Sequence, residues 1–286
     1  MSWPQVNQLI IKKLFPPRPS EAHKNDYGHL LVIGGSERYC GAPLFNALAA
    51  YKVGVDLVTM VAPRRCADTA ALYAPHLITI PLPGKFLQLK HLEIIRDAWA
   101  GKTALVIGSG LGREKETIAT VQEILAEAKM PVVVDADALA ALWRRPDLVR
   151  EKKFVLTPHQ SEFELLTEEF PPTELAERVG LVQKWALELT STIVLKGAVD
   201  VISDGQETVL NKTGNPFMTV GGTGDTLAGI LGGLLAQGQE ELIAAAGAAF
   251  LNGAAGDEAA AALGPSFTAF DLLEYLPQVI MEVLLQ

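Results

Sequence analysis

Runs of Val, Ile and Leu that end in Gly, Asp or Lys alternate with helical patterns along most of the chain. HLLVIGG (29–35) reads as a buried strand, followed by a helix over about 43–52. VDLVTMVAP (55–63), TALVIGSGLG (103–112), PVVVDADAL (131–139), KFVLTPH (153–159) and STIVLKG (191–197) repeat the strand pattern, with helices predicted near 117–128 and 174–189. Continuous apolar runs mark strands covered on both faces. Alternating with helices, they predict a mostly parallel sheet in a three-layer α/β/α arrangement. After Lys196, DVISDG and ETVLN are short, close and separated by Gly205, which predicts a hairpin at one edge. Two helices are expected to close the fold. In the first, Leu227, Ile230, Leu231, Leu234 and Leu235 recur at i, i+3, i+4, i+7 and i+8, a buried helical face. Residues 1–24, with Pro16, Pro17 and Pro19 near their end, read as a surface extension. Residues 25–286 read as one domain, with no linker, repeat or low-complexity tract.

Composition narrows the classes. With 286 residues, 49% of them hydrophobic, the chain can bury a sizeable core. Lys and Arg number 24 against 33 acidic residues, a formal charge of −9, which argues against a nucleic-acid partner. Cys40 and Cys66 lack CxxC spacing, so neither a disulfide framework nor a structural zinc site is expected. The apolar runs at 227–236 and 242–251 are too short to span a bilayer, and residues 1–15 lack a signal-peptide core. A cytoplasmic protein with no membrane partner is the expectation.

The strongest chemical signal is MTVGGTGDTLAGILGGLL (218–235). Gly221, Gly222 and Gly224 directly precede the predicted helix. Glycines let backbone N–H groups close on a ligand, and the helix start adds free donors and partial positive charge. Gly222, Thr223 and Gly224 are therefore the candidate anion hole. Asp225 beside them is peculiar, since a carboxylate repels phosphate. It is either a base set next to a bound phosphate or a stabiliser of the first helical turn. GSGLG (108–112) can cradle a second anionic group or be a tight turn. Its GxGxG spacing fails the dinucleotide fingerprint that would use Asp135 for a ribose. Gly101-Lys102-Thr103 has a P-loop ending, but Arg96 stands where the first glycine belongs.

LTPHQSEFELL (156–166) has two readings. Thr157 with Gln160, or Ser161 with Glu164, can form a capping box, with Pro158 at a first helical position. Alternatively His159 contacts a ligand and Glu162 lies near a metal, at the sheet's carboxyl edge where open α/β folds bind ligands. Lys196, at the same kind of edge, either meets phosphate or is a solvated strand end.

Taken in order, GHLLVIGGSERYCGAP (28–43), GSGLG, VVDADAL (133–139), LTPHQSEF (156–163), VLKG (194–197) and NKTGNPFMTVGGTGDTLAGILGGLLAQG (211–238) resemble the ADP- or ATP-dependent NAD(P)H-hydrate dehydratases of the ribokinase-like superfamily. The resemblance implies nucleotide-driven removal of water from hydrated NADH or NADPH (the S epimer), with ADP to AMP favoured. It puts Ala42, Gly110, His159 and Asp225 at the hydrated dinucleotide, and Lys196, Gly197, Ala198, Val199, Asp200 and Gly224 at the adenine nucleotide. It further implies Asp225 as the catalytic base, Mg2+ as the phosphate counter-ion, a homo-oligomer such as a tetramer, and a functional link to a separate NAD(P)H-hydrate epimerase. Two positions depart from the family pattern. Ser161 replaces the glycine of PHxGE, and Ser109 stands where proline is common. Two other readings compete: a small-alcohol kinase of the hydroxyethylthiazole or hydroxymethylpyrimidine type, and a non-catalytic nucleotide sensor.

Overall fold

The structure is a computed structural model and describes residues 3–285. Nine strands form one sheet: β1 (His29–Ile33), β2 (Leu57–Pro63), β3 (Ile78–Leu82), β4 (Ala104–Ile107), β5 (Val132–Val134), β6 (Phe154–Leu156), β7 (Thr192–Leu195), β8 (Asp200–Ser203) and β9 (Thr208–Asn211). Their order is β3-β2-β1-β4-β5-β6-β7-β8-β9. The first seven strands are parallel, and β8 and β9 add an antiparallel hairpin at the edge. The expected mostly parallel sheet and edge hairpin are both present.

Among the described residues ten α-helices cover it: α1 (Gln8–Leu14), α2 (Ala42–Lys52), α3 (Arg64–Tyr73), α4 (Leu92–Ala98), α5 (Lys115–Glu127), α6 (Gln160–Thr167), α7 (Leu175–Leu189), α8 (Thr223–Ala236), α9 (Glu241–Leu263) and α10 (Ala269–Leu285). The period-two alternation of strands divides the core. Leu30, Val32, Val58, Met60 and Val106 pack with α2, α8, α9 and α10. Leu31, Ile33, Val61, Leu105 and Ile107 face α5, α6 and α7.

Three findings differ from the sequence reading. Part of the N-terminal stretch is built into the domain instead of lying on its surface. Ile11 and Leu14 of α1 are fully buried, and Gln5 bridges Leu210 of β9. Three helices, not two, close the fold, because α10 runs through Pro277 and still buries Leu272, Leu273, Leu276, Val279, Ile280 and Val283. Helix α8 is buried nearly all round and not along one face. A Cβ on Gly229 would collide with the Asn46 carbonyl oxygen, so the glycine is what lets α8 and α2 touch backbone to backbone.

The chain builds β1–β3 toward one edge, then returns beside β1 with β4. The strand order thus reverses between β1 and β4, and the carboxyl ends of strands at such a reversal are the usual ligand position in open sheets.

Candidate active site

The β4 loop is shaped by glycine. Gly108 has φ +136°, and a Cβ there would collide with the Asp135 carbonyl oxygen. Gly110 has φ +68° and lies under the β1–α2 loop, where a Cβ would sit 2.8 Å from Tyr39 Cβ and 3.2 Å from Ala42 Cβ. Gly35 N–H donates to the Ser109 carbonyl at 2.8 Å, tying the two loops together. Ala42 and Gly110, distant in sequence, are thus brought side by side.

Helix α8 begins at Gly222, whose φ of +102° turns the chain and which offers no side-chain cap. Asn46 Nδ2 donates to the Asp225 carbonyl at 2.7 Å. Thr226 Oγ1 and Asn252 Oδ1 are 2.7 Å apart, and Asn252 Nδ2 donates to the Thr223 carbonyl at 3.1 Å. The first turn of α8 is therefore held from both flanks. Burial, joined by the charge of Asp135, raises the Asp225 carboxyl from 3.8 to about 7; the Ser109 hydroxyl and Lys196 pull the other way. Ser109 Oγ is buried without a hydrogen bond of normal geometry, so its influence on Asp225 is one of proximity.

Lys196 is not a solvated strand end. Its side chain is about one-fifth exposed, with Nζ 3.1 Å from Asp135 Oδ1 and 3.8 Å from Glu162 Oε2. Burial works against its charge, but Asp135, Glu162 and Asp225 outweigh it and hold the ammonium pKa above the ordinary lysine value. A Cβ on Gly224 would be 3.8 Å from Nζ, so the ammonium faces the start of α8. Asp200 accepts from Gly197 N–H at 2.9 Å and from Asn211 Nδ2 at 3.0 Å, which fixes the 197–200 turn.

A cavity of about 800 Å3 opens beside these groups, lined by His159, Lys196, Gly197, Ala198, Asp200, Thr223 and Gly224, with the 213–220 loop and α9 opposite. Val199, expected there, instead packs against the core on the α7 side. Gly222 has its flank against Phe45 and Ala269. Glu162 lies behind Lys196, in a capping box with His159: His159 N–H donates to Oε2 at 2.9 Å, and Glu162 N–H donates to Nδ1 at 3.3 Å. Neither expected box forms. Thr157 Oγ1 is taken by Asp135 at 2.7 Å, and His159 is the N-cap of α6. Ser161 is exposed in the first turn of α6, where no glycine is needed.

Sequence reasoning missed Asp135 as the partner of Lys196, along with Asn46 and Asn252, which hold the first turn of α8. Asp135 was weighed only as a ribose ligand. Its position at the carboxyl end of VVV was the available signal. Among the described residues, no three His, Cys, Asp or Glu side chains converge to hold a metal. Asp135 and Glu162 are already paired with Lys196. Such a set fits Mg2+ carried on phosphate oxygens with few protein ligands, not an ion caged by protein alone.

The sheet order, the edge hairpin and the acid at the start of α8 define a ribokinase-like α/β protein. The chain belongs to the NAD(P)H-hydrate dehydratase family, whose model matches residues 30–278. It is 45% identical over 265 residues to a bifunctional NAD(P)H-hydrate repair enzyme of Pyrobaculum aerophilum, covering 92% of this chain and 52% of that one. It thus spans about half the length of the bifunctional relatives it matches. It is 38% identical to an ADP-dependent (S)-NAD(P)H-hydrate dehydratase of Cenarchaeum symbiosum, with 96% of each chain covered. The ADP/ATP-dependent NAD(P)H-hydrate dehydratase of Bacillus subtilis, co-crystallised with ATP/Mg2+, superposes with a TM-score of 0.81 at 28% identity, covering 99% of each chain. Among the described residues, no helix is long and apolar enough to cross a membrane.

Proposed function

We propose that this chain dehydrates the S epimer of hydrated NADH and NADPH, spending ADP to AMP and phosphate, within the cytoplasmic pool of these cofactors. The observation that carries the reading is the position of Asp225. Its carboxyl, raised to about 7, feels both Ser109 of the β4 loop, next to Gly110, and Lys196 of the cavity wall. A base with a pKa near working pH is best matched to proton transfer.

The chemistry follows. Hydroxide is a poor leaving group from a saturated ring carbon. Asp225 takes the hydroxyl proton as that oxygen attacks the terminal phosphoryl group of the nucleotide. The α8 amides at Gly222, Thr223 and Gly224 and the Lys196 ammonium stabilise charge on the transferred group. The ring nitrogen then expels phosphate, leaving an iminium, and loss of a proton from the adjacent ring carbon regains the reduced nicotinamide. Mg2+ bound with the nucleotide supplies charge neutralisation, and Asp135 and Glu162 are the carboxylates that would hold it. On this reading Ala42, Gly110 and His159 meet the hydrated dinucleotide, while Lys196, Gly197, Ala198, Asp200 and Gly224 meet the adenine nucleotide. Val199 serves through its backbone, since its side chain is in the core.

ADP as donor is supported by the ADP-dependent relatives at 37–38% identity over nearly the full chain. We also infer a homo-oligomer, supported by an aromatic cluster in which the Phe45 and Phe270 rings are 4.8 Å apart, with Phe270 41% exposed. An NAD(P)H-hydrate epimerase supplies the S form from the other epimer. Kinetics with hydrated NADH and Mg2+ test the reading. Reduced-nicotinamide absorbance should return with one AMP and one phosphate per turnover, and with a higher kcat/KM for ADP than for ATP. Accumulation of a stable phosphate ester would instead favour a small-alcohol kinase. Tight nucleotide binding without turnover would favour a sensor.

A further inference from the structure

Cys40 and Cys66 are the only cysteines of the chain. Cys40 lies on the β1–α2 loop, two residues before Ala42, and is partly exposed. Cys66 sits in the first turn of α3 and is fully buried. Because β1 and β2 are parallel neighbours, the loops that leave them run side by side. The two sulfurs lie 2.7 Å apart. Both thiols donate to one acceptor, the Ser36 carbonyl, at 3.5 Å from Cys40 and 3.1 Å from Cys66. Gly35 leaves room for the pair, since a Cβ there would stand 3.1 Å from Cys66 Sγ. A disulfide bond is ~2.05 Å long, so closure asks for only a small side-chain adjustment.

We propose that Cys40 and Cys66 form a reversible disulfide by exchange with a small-molecule disulfide, fastening the loop that carries Tyr39 and Ala42 over Gly110. Burial, together with the neighbouring Cys40, pushes the Cys66 thiol up, so the first attack belongs to the partly exposed Cys40. The Cys40 thiolate attacks one sulfur of the reagent disulfide RSSR. A mixed disulfide forms and one thiolate RS− leaves. The Cys66 sulfur then attacks the Cys40 sulfur, gives its proton to the departed thiolate, and expels the second RS−. The chain loses two electrons and two protons, and the reagent becomes two thiols. Nothing in this step depends on the proposed activity, so it is read without substrate.

The test uses the whole protein, incubated with dithiothreitol or with oxidised glutathione, then unfolded in excess iodoacetamide and weighed intact. The reduced sample should carry two alkyl groups. The oxidised sample should carry none, weigh two hydrogens less than the unalkylated chain, and recover both sites on re-reduction. A bridge across this 26-residue separation restricts the unfolded chain, so the oxidised form should melt roughly 5–10 °C higher. Cys40→Ser should carry one alkyl group after either treatment and melt at one temperature. Two alkyl groups after oxidation, or a glutathione adduct on Cys40 with Cys66 still alkylated, would overturn the disulfide. Equal melting of the oxidised and reduced wild-type forms would overturn the fastening.

Discussion

Asp225→Asn separates two consequences that an ordinary site mutation couples. Asn keeps the size of the side chain, and the bond from Asn46 to the backbone carbonyl of residue 225 does not depend on it. Asn cannot take a proton as a carboxylate does, so kcat should fall about 10²–10⁴-fold, the scale for a lost general base. Stability should move the other way. The folded pKa of Asp225 is raised from 3.8 to about 7, chiefly by burial and by Asp135. The folded state therefore holds a proton that the unfolded state has lost across that interval. Asp225 costs nothing below the lower value, and its cost grows as pH rises to the upper one. About three pH units at ~1.4 kcal/mol each give a full cost of about 4 kcal/mol above neutrality. Between about pH 5 and pH 8 the advantage of Asn over Asp should grow by about 2–3 kcal/mol. Urea unfolding of both proteins at the two pH values reads it directly. Wild-type kcat/KM should also fall below about pH 7, as Asp225 protonates. If Asp225 only capped α8, Asn would serve as well and turnover would stay within about threefold of wild type. A stability difference unchanged between the two pH values would refute the buried, repelled carboxylate.

Two further substitutions probe its surroundings. Lys196→Met leaves Asp135 and Glu162 without their cation; the nucleotide KM should rise at least about tenfold, and stability should drop by about 3 kcal/mol in urea titration, the scale of a broken buried pair. Gly229→Val puts a side chain where the Asn46 backbone already lies, so α8 must lift from α2; a loss of about 2–3 kcal/mol is expected, and a wild-type Tm would contradict the close packing.

The parallel strands were legible because a strand buried on both faces needs an unbroken apolar run, and those at 29–33, 104–107, 132–134 and 192–195 have it. Strand β3 was not, since Ile78 is 42% exposed and Pro81 interrupts its pattern, both permitted at a sheet edge. Helix α3 buries only Cys66, Ala67 and Ala70, too small to print a helical face on the sequence. Lys196, His159 and Asp225 could be picked out because strand ends and helix starts carry local signals. Asp135 gained its meaning from Lys196 and Thr157, which reach it from separate strands. The same holds for the α6 cap: Thr157 is a good capping residue by type, but a tertiary partner claims its hydroxyl. The contact of Cys40 with Cys66 likewise arises from the pairing of β1 with β2, which no spacing rule encodes.

The central claim is that the substrate oxygen is phosphorylated before it leaves the ring. Hydrated NADH prepared in heavy-oxygen water carries the label on its ring hydroxyl. Turned over by this protein with unlabelled ADP and Mg2+, it should yield phosphate bearing one heavy oxygen per NADH regained. Label found in water, with unlabelled phosphate, would mean that the hydroxyl leaves directly, and would contradict the role given to Asp225 and the α8 amides.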